Sequence, residues 1–258
     1  MIANISAVII TKNEEHNIID CLQTLDFVDE IIIVDSESSD KTVYLAKRYT
    51  KKIFTRRWDG YASQKNYGIS KAKNEWILSL DADERVSEEL KQEIKSLNFD
   101  KEGYLFPIKN FFLGRWLRYG GQYPDYHLRM FKKSKGRFSY GIKEVHETVS
   151  IGKGMVFKLK NPVLHYSYTS VSAYFHKFNS YTYLEASGRF RRNKKPSWYG
   201  VFIRPTIRFL KYYIVKLGIL DGIRGLLFHS FSAFYVFSSE LKLYEMYKFD
   251  KKEIKWRS

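Results

Sequence analysis

The sequence predicts an α/β protein built on a doubly wound, mainly parallel sheet. Short β-branched runs alternate with segments of helical spacing through the first hundred residues. The runs are apolar on both faces, as expected of strands covered by helices on either side, and polar clusters follow them. Ligands bind beyond the carboxyl ends of the strands in such sheets.

Four apolar runs predict the strands of this sheet, at residues 5–10, 31–34, 52–55 and 76–80. Helical spacing predicts the intervening helices at residues 14–25, 41–49, 61–72 and about 88–97. We expect Ser87 to cap the last of these, and Asp40 to act as a turn or cap residue before the second.

The pattern changes after residue 102. Glycine-rich turns separate short strand-like pieces from 103 to 168 and predict a mixed or antiparallel extension of the sheet, while 170–247 has helical spacing. We therefore divide the chain into a domain at 1–168, with halves at about 1–100 and 101–168, and a helical, basic segment at 169–258.

The formal net charge of +16 implies an anionic partner. Nucleic acid is one candidate, but no segment matches a known nucleic-acid-binding motif and the charge is concentrated in one region. The single cysteine, Cys21, excludes an internal disulfide and fits a reducing compartment. We expect no signal peptide, because the first apolar run is short and no basic residue precedes it.

Acidic residues stand where the predicted strands end. Asp81 and Asp83 follow one buried run and predict a site for Mg²⁺ or Mn²⁺, which take oxygen ligands and share them with substrate phosphates. Asp35 follows another run, and we expect it to accept hydrogen bonds from a ligand.

Four segments together resemble the nucleotide-binding half of the family 2 inverting glycosyltransferases of GT-A fold. They are ISAVIITKNEEHNI, EIIIVDSESSDKT, ASQKNYGI and WILSLDADE. The second half is similar to the small bacterial lipopolysaccharide-core β-glucosyltransferases. That likeness is carried by Gly120-Gly121, YPDYHLRMF, Val145-His146-Glu147, His165-Tyr166-Ser167 and LGILDGIRGLL.

The resemblance implies a UDP-sugar donor and a divalent cation. It implies that Glu14 and Asp35 contact the uracil and ribose, that Asp81 lies near the ribose and the metal, and that Asp83 ligates the metal. Three residues of one helix would lie beside the nucleotide: Gln64, Lys65 and Asn66. Many relatives carry Arg where this chain has Lys65, which keeps the charge but loses the forked geometry.

The same resemblance suggests the catalytic base, which takes the proton of the acceptor hydroxyl. Glu147 is the first candidate and Asp125 the second, while His146 either orients the carboxylate or packs. His165 is either a further metal ligand or a structural histidine. Arg129 either holds a phosphate or carboxylate or forms a surface ion pair.

The expected function is therefore inverting transfer of a sugar from a UDP-sugar to a hydroxyl of a glycan or glycolipid, such as lipopolysaccharide core. A polyprenyl-phosphate sugar transferase is the alternative on the same fold, and a basic nucleic-acid-binding protein is the alternative of another class. A phosphate acceptor needs no strong base, so the first alternative predicts that Glu147 is dispensable.

The segment 186–240 predicts peripheral attachment to the inner face of the cytoplasmic membrane. Nine Lys and Arg residues and no acid lie between 186 and 220, with aromatic residues among them. The longest run without a charged residue within this segment, 225–239, has 15 residues, short of the ~20 that a spanning helix needs. A solvated basic helix is the alternative.

Overall fold

A computed structural model describes residues 3–140, 147–151, 154–168 and 170–249. The chain forms two compact units. Unit 1 comprises Met1–Asn110, Pro124–Tyr140 and Glu147–Ser167, and unit 2 comprises Phe111–Tyr123, Gly141–His146 and Tyr168–Ser258.

Unit 1 contains the predicted parallel sheet. Strand β1 (Ile5–Thr11) is buried along its whole length between β2 (Glu30–Asp35) and β4 (Trp76–Asp81), and β3 (Ile53–Thr55) pairs with β2. All four strands are parallel. Their side chains alternate between two apolar cores, one on each face, which explains why the runs are apolar throughout.

The predicted helices follow these strands as α1 (Ile18–Gln23), α2 (Thr42–Ala46), α3 (Tyr61–Lys71) and α4 (Glu88–Lys95). Ser87 accepts the backbone N–H of Leu90 at 3.2 Å, so its predicted cap is confirmed. Asp40 accepts the N–H of Thr42 at 3.0 Å, in the predicted turn role. Helix α1 begins four residues later than expected, because residues 14–17 form a turn closed on the carbonyl of Glu14.

The second half of unit 1 extends the sheet with antiparallel strands, as predicted. Strand β8 (Asp125–Lys132) runs antiparallel to β4, and the sheet continues through β6 (Gly103–Phe112), β12 (Val163–Tyr168) and β5 (Glu84–Val86). Strand β11 (Val156–Lys158) pairs with β6. Strands β9 (Arg137–Tyr140) and β10 (Glu147–Ser150) form a separate pair. The result is a mixed sheet with helices, of GT-A type.

Unit 2 is largely helical. It contains β7 (Arg115–Trp116), α5 (Val171–Arg191), α6 (Arg204–Phe209), a 3₁₀ helix (Gly218–Asp221) and α7 (Gly222–Lys248). Two π-helical turns, Tyr199–Ile203 and Leu210–Val215, flank α6. Its core is mainly aromatic, formed by Phe112, Leu117, Tyr174 and Phe178. No helix among residues 170–249 combines the length and apolar character needed to cross a membrane.

Within unit 2, the LGILDGIRGLL segment accepts hydrogen bonds from the backbone around residue 119. The Asp221 carboxylate accepts the N–H groups of Arg118 and Tyr119 at 3.1 and 2.9 Å. Gly120 has a φ of +65°, and a Cβ there would lie 2.0 Å from Nε2 of His229. Backbone conformation and close packing therefore both require glycine at this position.

We predict that Cys21 is unreactive in the folded protein. The side chain is fully buried in the core of unit 1, and burial raises the pKa of its thiol, so little thiolate is available to attack a reagent. An aromatic disulfide reagent should label it only as the protein unfolds. A Ser70→Cys variant, which places a second thiol at an exposed position of α3, should react with one equivalent at once. Rapid labelling of the native wild-type chain would contradict the placement of α1.

Candidate functional site

Three parallel strands end at one edge of the sheet in unit 1. Thr11 ends β1, and it lies in register with Asp35 at the end of β2. Asp81 ends β4, in register with Ile10 of β1. The predicted clustering of strand-end acids at this edge is therefore present.

Asp35 is buried and fixed by its neighbours. Its carboxylate accepts hydrogen bonds from the hydroxyl of Thr11 at 2.9 Å and from the N–H and hydroxyl of Ser38 at 2.9 and 2.6 Å. Glu14, on the adjacent loop, donates its N–H to Thr42 at 2.7 Å, and its carboxylate accepts the amide of Asn17 at 2.8 Å. These contacts hold the β1 and β2 loops against each other.

The three predicted residues of α3 differ in what they contact. Lys65 is fully buried, and its Nζ lies 2.8 Å from Oδ1 of Asp81. Asn66 donates to the carbonyl of Phe138 at 2.8 Å and accepts its N–H at 3.0 Å, which ties α3 to β9. Gln64 donates to the carbonyl of Arg57 at 2.9 Å, while its buried Oε1 has no partner within the described ranges.

Asp81 lies between two cations. Besides Lys65, Nη2 of Arg129 stands 3.4 Å from Oδ2 of Asp81. Burial alone raises the pKa of Asp81, but the charges of Lys65 and Arg129 outweigh it and lower the pKa to about 2. Arg129 is mostly buried, so the alternative that it forms a surface ion pair is wrong: its ion pair is an interior one.

Glu84 completes this cluster, and no sequence pattern singles it out beyond its place directly after Asp81-Ala82-Asp83. Its side chain is completely buried, pairs with Arg129, and accepts the N–H of Asp81 at 2.9 Å. Burial raises the pKa of Glu84, although the charge of Arg129 opposes the rise. Glu84 thus fixes both the backbone of Asp81 and the arginine beside it.

Asp83 is directed towards His165 instead. Its Oδ1 lies 3.5 Å from Nε2 of His165, and its carbonyl accepts the N–H of Tyr166 at 2.9 Å. The pairing of β5 with β12, which sets Glu84 opposite His165, brings the two side chains together across 82 positions of sequence. Burial lowers the pKa of His165, but the carboxylate of Asp83 outweighs it, and the net pKa is raised.

A third residue orients this histidine. Nδ1 of His165 lies 2.8 Å from Oδ1 of Asn110, and because an amide oxygen can only accept, Nδ1 carries the hydrogen. In neutral His165, Nε2 therefore presents its lone pair towards a carboxylate oxygen of Asp83. Two facing lone pairs require a cation between them, either a proton on Nε2 or a metal ion. No sequence pattern indicates that Asn110 contacts His165, because Asn110 lies inside a strand, 55 residues away in the chain.

The Asp83–His165 pair fits a divalent cation. Metal-bound histidines donate their other ring N–H to an oxygen acceptor, as His165 does to Asn110. No group of three or more His, Cys, Asp or Glu side chains with metal-binding geometry occurs among residues 3–140, 147–151, 154–168 and 170–249. Two protein ligands suffice where substrate phosphates and water supply the rest.

The candidate bases occupy other strands. Asp125 begins β8, is half-exposed, and its Oδ2 lies 3.0 Å from Nε2 of His127. Glu147 begins β10, where its backbone pairs with that of Tyr140. His146 lies outside the described residues. Both bases remain predictions.

The profile of the family described as "Glycosyl transferase family 2" matches residues 6–159, which include the strand-end acids. The chain belongs to glycosyl transferase family 2. It is thus a glycosyltransferase, and the expectation drawn from the four N-terminal segments is confirmed.

Relatives of this glycosyltransferase extend the likeness over most of the chain. An uncharacterized glycosyltransferase of Rickettsia bellii is 32% identical over 94% of this chain and 86% of its own length. The lipopolysaccharide core biosynthesis glycosyltransferase LpsC of Rhizobium meliloti is 28% identical over 93% of this chain and 92% of its own. Among solved structures, S. aureus TarS 1-349 has a TM-score of 0.47 and 13% identity, covering 96% of this chain and 92% of that one.

Glu84 should be required for stability. Replacing it with Ala leaves Arg129 without its buried partner and should lower the free energy of unfolding by about 3–5 kcal/mol, measured by urea denaturation. Glu88→Ala removes an exposed acid of α4 that pairs with Lys91, and should lower the free energy of unfolding far less, because a solvent-exposed ion pair contributes little. Equal losses of unfolding free energy in the two variants would contradict the prediction that the buried pair of Glu84 and Arg129 contributes more than the exposed pair.

The charge of Asp81 should stabilise the fold in a pH-dependent manner. The pKa falls from 3.8 to about 2 on folding, so the ionised carboxylate stabilises the protein above pH 3.8, and this contribution is lost as the pH falls towards 2. The wild-type chain should lose up to about 2 kcal/mol more than Asp81→Asn over this interval. Parallel pH profiles of unfolding free energy for the two proteins would contradict it.

Proposed function

We propose that this glycosyltransferase moves a sugar from a UDP-sugar to a hydroxyl group of a cell-envelope glycan or lipid-linked acceptor, with inversion and with Mn²⁺ or Mg²⁺. The observation that carries the proposal is the alignment of Asp83, His165 and Asn110 beside the strand-end acids. LpsC, similar over nearly its whole length, is named for lipopolysaccharide core biosynthesis, which supports an acceptor of that kind.

The loops after β1 and β2 would bind the nucleoside. Ribose hydroxyls and the N–H of uracil are donors, and the carboxylates of Asp35 and Glu14 are acceptors at this edge. Asp35 is held rigidly by Thr11 and Ser38, so little conformational entropy is lost when a ligand binds. The buried oxygen of Gln64 has no partner in the part of the chain that the structure describes. This supports the proposed place of Gln64 beside the nucleotide, since such an atom gains most from a ligand donor.

Asp83 and His165 would hold the divalent cation, with Asp81 close by. When bound, the cation supplies positive charge to the diphosphate as negative charge develops on the leaving group. The lysine and arginine on Asp81 have a separate consequence, because their charges lower its pKa and keep that carboxylate ionised.

Glu147 is the proposed base, with Asp125 as the second candidate. Inversion in one displacement requires a carboxylate on the acceptor side that removes the hydroxyl proton as the oxygen attacks the anomeric carbon. His146 would orient Glu147, and Arg129 would hold the β4 edge through Asp81 and Glu84.

We also propose that the enzyme acts at the inner face of the cytoplasmic membrane as a peripheral protein. The nine Lys and Arg residues between 186 and 220 support this location, because an anionic surface attracts such a segment. A lipid-linked acceptor would be found there. We propose no nucleic acid as a partner.

The cation should be needed for donor binding. Calorimetry with UDP should show binding in Mn²⁺ that is lost in EDTA, and Asp83→Asn should reduce turnover by orders of magnitude while the unfolding midpoint is kept. Asn110→Ala should weaken Mn²⁺ binding about 10- to 100-fold through loss of the histidine's orienting partner. His127→Ala, which alters an exposed histidine outside the pair, should leave Mn²⁺ binding unchanged. UDP affinity that is the same in EDTA and in Mn²⁺ would contradict the metal site.

The acceptor class can be tested at Glu147. Glu147→Gln should lose sugar transfer to hydroxyl acceptors while UDP binding persists, because only the base is removed. An active Glu147→Gln, with Asp125→Asn inactive, would transfer the role to Asp125. Activity in both variants with a polyprenyl phosphate would favour the phosphate-acceptor alternative.

A further inference from the structure

The helical segment from Trp198 to Val215 in unit 2 bears a row of exposed apolar side chains. We name this set the apolar row; its principal members are Trp198, Phe202, Ile203, Ile207, Leu210 and Ile214. Trp198 is 79% exposed and Val215, at the far end, 74% exposed, and the others are about half-exposed. Soluble proteins seldom expose so continuous an apolar strip unless it binds something.

The spacing of the row is typical of one side of a helix. Ile203, Ile207, Leu210 and Ile214 follow one another at intervals of four, three and four residues, and an α-helix turns once every 3.6 residues. The segment also contains two π-helical turns, one before and one after α6. π-helical turns are rare and are frequent at functional sites, so their presence on both sides of α6 is itself informative.

The opposite side of this segment is fixed to α7. The fully buried carboxylate of Glu240 accepts the N–H of Ser197 at 2.9 Å and pairs with Arg189 and Arg204. Arg208 donates to the hydroxyl of Ser232 at 2.7 Å. The apolar row is therefore presented by a fixed helix.

Positive charges flank the row. Arg208, Lys211 and Lys216 gather around the ring of Tyr212, at 5.1, 5.8 and 4.9 Å from its centroid. No acid lies in the sequence from 186 to 220, and the carboxylate of Glu240 is paired with Arg189 and Arg204. A second copy of this surface would be repelled by its like charge, while an anionic partner would be attracted.

We propose that the apolar row docks into an anionic phospholipid bilayer, with the helix lying parallel to the surface. The apolar side chains enter the boundary between headgroups and acyl chains, and Lys211 and Lys216 meet the lipid phosphates. Three further apolar residues that follow the row in the chain, Leu217, Leu220 and Ile223, are also exposed. This inference rests on the proposed membrane location and assigns it to particular side chains.

The test is flotation of the full chain with vesicles of phosphatidylcholine, alone or mixed with phosphatidylglycerol. We expect binding to the anionic vesicles, weakened but not abolished by salt, because salt screens the charges and not the apolar burial. Leu210→Glu should weaken binding about tenfold or more. The substitution removes a leucine that becomes buried in the bilayer and adds a negative charge that the anionic lipids repel. Leu241→Glu makes the same change at a 41% exposed leucine of α7 outside the row, and should bind as the wild type does.

Tryptophan emission gives a second measurement. Emission should shift to shorter wavelength on binding anionic vesicles, and Trp198→Phe should remove most of the shift while the bound fraction changes little. Failure to float, or equal binding of the two leucine variants, would overturn the proposal. Dimerisation lost in Leu210→Glu, without vesicle binding, would instead assign the row to a second copy. Mn²⁺-dependent UDP binding is measured without lipid, so it separates failure of the docking surface from failure of the proposed chemistry.

Discussion

The interior ion cluster of Asp81, Glu84, Lys65 and Arg129 is the interaction on which the candidate site depends. Two carboxylates three residues apart are held with two cations where water is largely excluded. Each charge is costly to bury alone, and the cluster is tolerated because acids and bases balance and Glu84 also accepts a backbone N–H. It joins α3, β4, β5 and β8, so the end of β4 is fixed from three other elements.

That constraint separates the roles of the two acids in the Asp81-Ala82-Asp83 motif. Asp81 is neutralised by cations of its own chain, whereas Asp83 is turned to His165 on β12. Asn110 then fixes the tautomer of that histidine. One carboxylate is therefore held by charged side chains of neighbouring elements, while the other lies beside an imidazole nitrogen. The two identical residues of the motif have different surroundings.

Unit 2 uses a related solution for a different purpose. A single buried acid, Glu240, holds Arg189 and Arg204, and Gly200 is required because a Cβ there would lie 2.2 Å from the carboxylate carbon. Arg204 is thereby turned to Glu240, whereas Arg208 and Lys211 lie beside the ring of Tyr212. Fixing the segment from within leaves the apolar side chains on the outside.

The amino-acid sequence by itself determined the parallel half of the fold. Strands buried on both faces must be apolar throughout, so 5–10, 31–34 and 76–80 could be located, and the acids that follow them had to meet at one edge. It also determined the family, because four segments in fixed order carry the likeness. Only the tertiary structure decided that Glu84 is buried with Arg129, that Asn110 orients His165, and that two π-helical turns flank α6. These contacts join residues tens of positions apart, or depend on which backbone hydrogen bond forms locally. Neither composition nor periodicity encodes such pairings, since each residue is also common in a surface role.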